Sequence, residues 1–365
     1  MLALALALTL LASLLSCSQP PATPVDPLAQ WKRARAKTSS APAVWVAYGD
    51  SITEGQGATK RQLRWIDQTL TSLRSRYPGS GADVPYLPGW YAVFPPDSPW
   101  QPYARRTGTV SNDSFGSLGL RTATLSRGAS QTYALEGTAA DLYYLTKGGV
   151  MAYTVDDGPP TTIDTAGAYS TANRQRITFA TAGRHELTVV AASGKVYLAG
   201  VAELDGDEAS GIHLFDNAHS GYTSQQFVDS QPDLNPIVQL VRPDLVTIEL
   251  GVNDYLRGDA SANEVKANLR DLVVGLRTAL GDKLPSIVLV LPYRIGRQPS
   301  NPADRWDDYV AATAALGNEL SVGVLDMSAM GTSAPGGSWA SDGLHASDAG
   351  NAEMARLATS YLTGG

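Results

Sequence analysis

The chain has 365 residues, 43% of them hydrophobic and 17% charged, an ordinary globular composition with length for a large core and, on length alone, for two domains. A formal net charge of −7 argues against nucleic acid as the main partner. Cys17 is the only cysteine, which excludes an internal disulfide and thiol-ligated zinc, and the four histidines are His185, His213, His219 and His345.

Residues 2–15, LALALALTLLASLL, form an apolar run short for a membrane span but suited to the core of a signal peptide. The run leads into Leu14-Leu15-Ser16-Cys17, which resembles a bacterial lipobox. Residues 1–16 are therefore expected to be a signal peptide and Cys17 a lipidation site, although no Lys or Arg precedes the apolar run. The alternative is cleavage nearby with Cys17 incidental. Residues 17–42 read as a lipid-anchored linker, a Pro-rich tether (SQPPATPVDP) followed by Lys32, Arg33, Arg35 and Lys37. Such a cluster more often marks a solvated helix face than a surface that meets anionic polymer, where each charge adds roughly 1 kcal/mol. The expected location is outside the cytoplasm, as a cell-surface or periplasm-facing lipoprotein or a secreted protein.

From Val44 the chain alternates strand and helix. Val44 to Tyr48 has the residue types of a buried strand, and Lys60 to Tyr77 places Leu63, Ile66, Leu70, Leu73 and Tyr77 on one helical face. The rhythm returns with a strand at 212–215, a strand at 245–250 (LVTIEL), a helix at 261–280, a strand at 286–291 (SIVLVL), a helix at 303–320, a strand at 322–326 and a closing helix at 346–362. Apolar strands separated by amphipathic helices predict a parallel sheet covered on both faces. Between these halves, residues 105–204 lose helical periodicity. Short alternating runs at 131–135, 141–146, 151–155, 176–180, 186–191 and 196–203 are separated by Gly-containing turn signals. They predict an all-β sandwich, jelly-roll-like, inserted into a discontinuous α/β domain of residues 43–104 and 205–365.

The stretch YGDSITEG (48–55) places Ser51 just past the first strand, at the sheet edge where ligands bind in open α/β folds. A serine nucleophile needs a base, an orienting carboxylate and donors for a developing oxyanion. His345 supplies a base candidate in Ser341-Asp342-Gly343-Leu344-His345, where Asp342 sits three residues before it and is placed to accept its Nδ1–H. Gly221, in SGYTS after the strand at 212–215, offers an unobstructed N–H, and Asn253, in GVND after LVTIEL, offers a neutral amide. Asp50 and Asp254 read as structural hydrogen-bonders at their turns. His185 reads as a surface strand residue, and His219 as a loop-packing residue rather than a site residue. His213, His219 and Asp216 lack a third nitrogen ligand, so no metal and no cofactor is expected.

These blocks, Gly49-Asp50-Ser51, Gly221, Asn253 and Asp342-x-x-His345, stand in the order of the four blocks of the GDSL, or SGNH, hydrolase superfamily, and the chain resembles it over residues 43–80 and 211–365. SGYTSQQ (220–226) and ELGVND (249–254) look like its thioesterase and lysophospholipase branch, while Asp216 to Ser220 lacks an extra glycine common in the family. The resemblance implies a three-layer α/β/α, flavodoxin-like domain. It also implies Ser51 as nucleophile, His345 as general base and then acid, Asp342 as its orienter, and an oxyanion hole from Ser51, Gly221 and Asn253.

An exported esterase meets polysaccharides, wall polymers and lipids. The first expectation is removal of acetyl groups from a polysaccharide or glycoside, with Tyr133, Tyr143, Tyr144 and Tyr153 of the sandwich as candidates to stack on sugars. The alternatives are a lysophospholipase, short-chain acyl esterase or thioesterase, and a non-catalytic surface carbohydrate-binding protein. The expected partners are an ester substrate and, through the lipid anchor, a membrane.

Overall fold

The computed structural model describes residues 26–77, 79, 86–91, 104–206, 210–328, 330 and 342–364. The expected signal peptide, Cys17 and the Pro-rich tether up to residue 25 lie outside the described residues.

Helix α1 (Ala29–Arg35) leads into strand β1 (Ala43–Gly49), whose seven residues are all buried, and then into α2 (Ser51–Glu54) and α3 (Trp65–Arg76). Downstream come β11 (Ile212–Ala218), α4 (Ser224–Asp229), α5 (Gln231–Val241), β12 (Leu245–Glu249), α6 (Val252–Arg257), α7 (Ala262–Leu280), β13 (Ser286–Leu291), α8 (Trp306–Leu320), β14 (Gly323–Asp326) and α9 (Asp348–Thr363). Strands β11, β1, β12, β13 and β14 form one parallel sheet in that spatial order. Counted along the chain this is 2-1-3-4-5, the flavodoxin-like order, with its switch point between β1 and β12. The near-continuous burial of β1, β12 and β13 is what a strand covered on both faces requires. Accordingly α3 packs on α9, while α7 packs on α4, α5 and α8.

Helix α1 corrects one expectation. It lies in the stretch read as a free linker, yet Trp31 is fully buried, its Nε1 donates to the Leu362 carbonyl at 3.1 Å, and Arg35 donates to the carbonyls of Leu362 and Thr363. Trp31 and one residue of the basic stretch, Arg35, thus anchor the C-terminal end of α9, where a cation is electrostatically favoured.

Among the described residues, nine strands between β1 and β11 form a second, antiparallel sheet: β2 (Tyr86–Pro88), β3 (Ala104–Thr107), β4 (Val110–Ser114), β5 (Arg121–Leu125), β6 (Ser130–Thr146), β7 (Val150–Val155), β8 (Thr161–Asp164), β9 (Ser170–Ser193) and β10 (Val196–Leu204). The expectation was a two-sheet sandwich beginning at residue 105. Instead, all nine strands hydrogen-bond into one curled sheet, which takes in Tyr86–Pro88 as partner of β10. The reason lies at Gly137 and Gly183, which pair with one another and both take positive φ (150° and 137°). Ala182-Gly183 reads as a turn signal, yet β9 runs on through Gly183 as β6 does through Gly137. A register shift just after Gly137 then switches the inward alternation of β6, so that Tyr133 and Leu135 before it and Ala140 and Leu142 after it share one apolar core. Tyr133 and Tyr143 are buried in their respective cores and are therefore not available to stack on a sugar; Tyr144 and Tyr153 are half-buried.

Candidate active site

Strand β1 turns into α2 within one residue. Asp50 caps the helix, its Oδ1 accepting the Ile52 N–H at 2.9 Å. A Cβ on Gly49 would stand 2.3 Å from Thr53 Oγ1, so the strand–helix junction needs glycine there. Ser51 is thereby set on the first turn of α2, beside the switch point of the sheet, and is 4% exposed.

The loop before α9 folds round one carboxyl. Asp342 Oδ1 accepts the N–H groups of Leu344 (2.9 Å) and His345 (2.8 Å), and its Oδ2 accepts His345 Nδ1–H at 2.6 Å. Burial alone would push the Asp342 carboxyl up, but the His345 N–H, the His345 ring and the Leu344 N–H outweigh it and hold it below the usual carboxylate range. With Nδ1 as donor, His345 Nε2 is an acceptor, and it lies 2.9 Å from Ser51 Oγ. Ser51 and His345 are 294 residues apart in sequence. The Gly343 carbonyl accepts the N–H groups of Gly296 and Arg297, tying this loop to the one that follows β13.

Gly221 follows β11 with φ of +79°, a conformation that favours glycine. The flanking Ser220 N–H donates to Glu54 Oε2 at 2.8 Å, and Arg257 donates to the Gly221 carbonyl at 2.5 Å. Asn253, on α6, directs Nδ2 at Asp50 Oδ2 and at the Tyr222 carbonyl, each 3.0 Å away. For Asn253 to donate to a substrate oxyanion, one of these bonds must be shared or exchanged. Ser51, Gly221, Asn253 and His345 all line one cavity of about 410 Å³.

A family model described as the GDSL-like lipase/acylhydrolase family matches residues 165–353, more than half of the chain. The chain belongs to that family. It is a carboxylic ester hydrolase. The matched stretch includes Gly221, Asn253, Asp342 and His345 and begins past Ser51, which joins them through the contacts above. A search of curated protein sequences gives no match. Among solved structures, one titled "Peptidoglycan O-acetylesterase in action, 5 min" is similar over 92% of this chain and 95% of its own, with 17% identity and a TM-score of 0.68, a likeness of fold that takes in both sheets. A family two carbohydrate esterase from Cellvibrio japonicus is 15% identical over 72% of this chain and 95% of its own, with a TM-score of 0.32. A carbohydrate esterase family 3 from Talaromyces cellulolyticus is 16% identical over 44% and 74%, with a TM-score of 0.35.

In this family member the remaining histidines are packing residues. His219 is buried, its Nδ1 bonded to the Gly119 carbonyl and its ring 3.7 Å from that of Tyr222. Burial lowers it to about 4, so it stays neutral. His213 bonds the Ser210 carbonyl at 2.9 Å. His185 is buried rather than a surface residue as expected, because its ring lies 4.3 Å from Phe179 and its Nδ1 meets Asp156 at 2.9 Å. Asp254 accepts from Ser224 N and Oγ, and Asp50 from Ile52 and Asn253, the structural roles expected of them.

Two groups beneath the site escape sequence reading. Glu249, the last residue of β12, is fully buried beside Asp50 and accepts from Thr53 Oγ1 at 3.1 Å. Burial first, and each carboxyl's nearness to other acids second, push both upward. The carboxyl at the end of the apolar run LVTIEL was the available signal. The second group is a buried ion cluster: Asp216 of β11 meets Arg64 (2.6 Å) and Arg121 (2.9 Å), Arg121 meets Glu54 (3.3 Å), and Arg64 meets Asp67 (2.6 Å). Apart from Arg64 and Asp67, three residues apart, nothing local in the sequence marks those partners.

Proposed function

We propose that this chain is an acetyl esterase acting on polysaccharides or glycosides, with Ser51 as nucleophile, His345 as general base and then acid, and Asp342 as its orienter. The observation that carries the reading is the line of contacts from Asp342 Oδ2 to His345 Nδ1 (2.6 Å) and from His345 Nε2 to Ser51 Oγ (2.9 Å), opening into a polar cavity. Ser51 Oγ adds to the acetyl carbonyl as its proton passes to Nε2. The oxyanion receives the Ser51 and Gly221 N–H groups and the Asn253 amide. Collapse expels the sugar oxygen, which takes the proton from Nε2. Water then attacks the acetyl-enzyme, gives its proton to Nε2, and acetate leaves as Ser51 recovers the proton.

A small acyl group is favoured because, among the described lining residues, only Leu256, Pro299 and Leu344 carry apolar side chains, too few for a long chain. Export by the N-terminal segment, with Cys17 lipidated, would bring the site to such glycans. The test is hydrolysis of p-nitrophenyl esters from acetyl to decanoyl by protein starting after Cys17, with Ser51→Ala as control. A steep preference for acetate, lost in the variant, is expected. Rates rising toward decanoyl would sink the acetyl reading, and serine-independent or absent hydrolysis would sink the esterase mechanism.

A further inference from the structure

The cavity at Ser51 carries an unusual charge for this chain. Its described lining includes two guanidinium groups, Arg257 and Arg297, and no Asp or Glu, although the whole chain has a formal charge of −7. Neither arginine has a carboxylate partner among the described residues. Nearby arginines on the same side of the fold do: Arg294 and Arg305 both meet Asp307. The Arg257 side chain and the Arg297 backbone are also held in place. Arg257 rests on the Gly221 carbonyl, and the Arg297 backbone N–H donates to the Gly343 carbonyl, two residues from His345. One arginine therefore adjoins the Gly221 loop and the other adjoins the His345 loop, both in the lining of the cavity that holds Ser51.

We infer that the cavity recognises a negatively charged substrate, an O-acetylated glycan bearing a carboxylate close to the acetyl group, bound by Arg257 and Arg297. A planar guanidinium matches a carboxylate through two parallel N–H···O bonds, and the absence of acids from the lining leaves that match unopposed. A cleft of one sign also raises the local concentration of an oppositely charged substrate that the rest of this acidic surface repels. The scarcity of apolar lining favours a glycan over an acyl lipid with an anionic headgroup. The inference rests on the esterase reading above.

The test compares an O-acetylated oligogalacturonide with the same oligomer after conversion of its carboxyls to primary amides. Acetate release is followed for the wild type, Ser51→Ala, Arg297→Gln and Arg297→Lys, with p-nitrophenyl acetate as a reference ester and thermal melting to establish folding. The expected wild-type kcat/KM is about tenfold or more higher for the charged form, the size of one charge-assisted contact. That ratio should shrink with added salt, collapse toward one in Arg297→Gln through KM, and recover in part in Arg297→Lys. A ratio near one in a wild type that still cleaves p-nitrophenyl acetate through Ser51 overturns the inference and leaves the esterase reading standing. Loss of all Ser51-dependent hydrolysis would overturn that reading itself. A preference that persists undiminished in Arg297→Gln overturns the assignment to this arginine. Faster turnover of a lysophospholipid than of either glycan overturns the glycan.

Discussion

Asn253 Nδ2 donates to Asp50 Oδ2 at 3.0 Å, so the residue that caps the helix of Ser51 also fixes the angle of the amide across the switch point. On the proposed mechanism, replacing Asn253 with Ala should lower kcat by roughly 10²–10³, the usual effect of losing one oxyanion donor. Asp50→Ala should lower it through the same amide, so the double variant should be little worse than Asn253→Ala alone. Steady-state kinetics of the three variants check this; independent, additive losses would separate Asp50 from Asn253.

The raised titration of the buried Asp50 and Glu249 carboxyls gives a pH signature. Both carboxyls titrate higher in the folded chain than in the unfolded one. As pH rises past the ordinary carboxylate range, near 4.3, the unfolded chain releases these protons first, so the stability they confer at acid pH is lost as pH climbs toward the folded values. Glu249→Gln keeps a donor for Asp50 and removes one titration. Its melting temperature relative to wild type should therefore rise between pH 5 and pH 8. Parallel melting curves for the two proteins would refute the raised titration.

Arg121 joins the antiparallel sheet to the parallel one by meeting Asp216 at 2.9 Å and Glu54 at 3.3 Å, all three fully buried. Arg121→Met removes one cation from two buried carboxylates, leaving Asp216 to Arg64 and Glu54 to the Ser220 N–H, and should cost about 3–5 kcal/mol in denaturant unfolding. Arg105→Ala, which removes an exposed pair with Glu186 at 2.6 Å, should cost under about 1 kcal/mol. Equal costs would mean that the buried cluster contributes no more than an exposed pair.

His219 predicts an acid limb of opposite sign. Desolvation holds it at about 4, against 6.5 in the unfolded chain. Between those values the unfolded state binds the proton and the folded state does not, so stability falls as pH drops from 6.5 toward 4. His219→Asn, which keeps a donor near the Gly119 carbonyl, should flatten that fall. Melting temperatures at pH 7 and pH 5 measure it, and an unchanged slope would place the acid sensitivity elsewhere.

The parallel sheet and its edge residues were legible because their signals are local. LVTIEL and SIVLVL are buried strands by composition, and Asp342 and His345 are close enough in sequence for their pairing to be read from spacing. The Ser51–Asp50 turn is likewise written in consecutive residues. What escaped is long-range or disguised. Glu249 finds Thr53 across 196 residues, and Arg64 finds Asp216 across 152. The strand VSNDS (Val110–Ser114) is mostly exposed and polar, so no apolar alternation announces it. Gly137 and Gly183 carry the composition of turns yet sit inside the two longest strands, which turned an expected pair of sheets into one.

The placement of the antiparallel sheet between β1 and β11 has a consequence for how the chain folds. Strand β1 is central, hydrogen-bonded to residues 212–218 on one side and 245–249 on the other, so it has no parallel partner until most of the chain has been made. The ladders within residues 110–204 are close in sequence by comparison, β6 with β9 and β7 with β8 among them. Such contacts form sooner, since loop closure is less costly over short separations. Once formed, that sheet draws β1 and β11 toward each other and shortens the loop their pairing must close. The segment that interrupts the hydrolase in sequence would then serve as its folding template, and a chain deleted of it should refold slowly and aggregate through an exposed β1 edge.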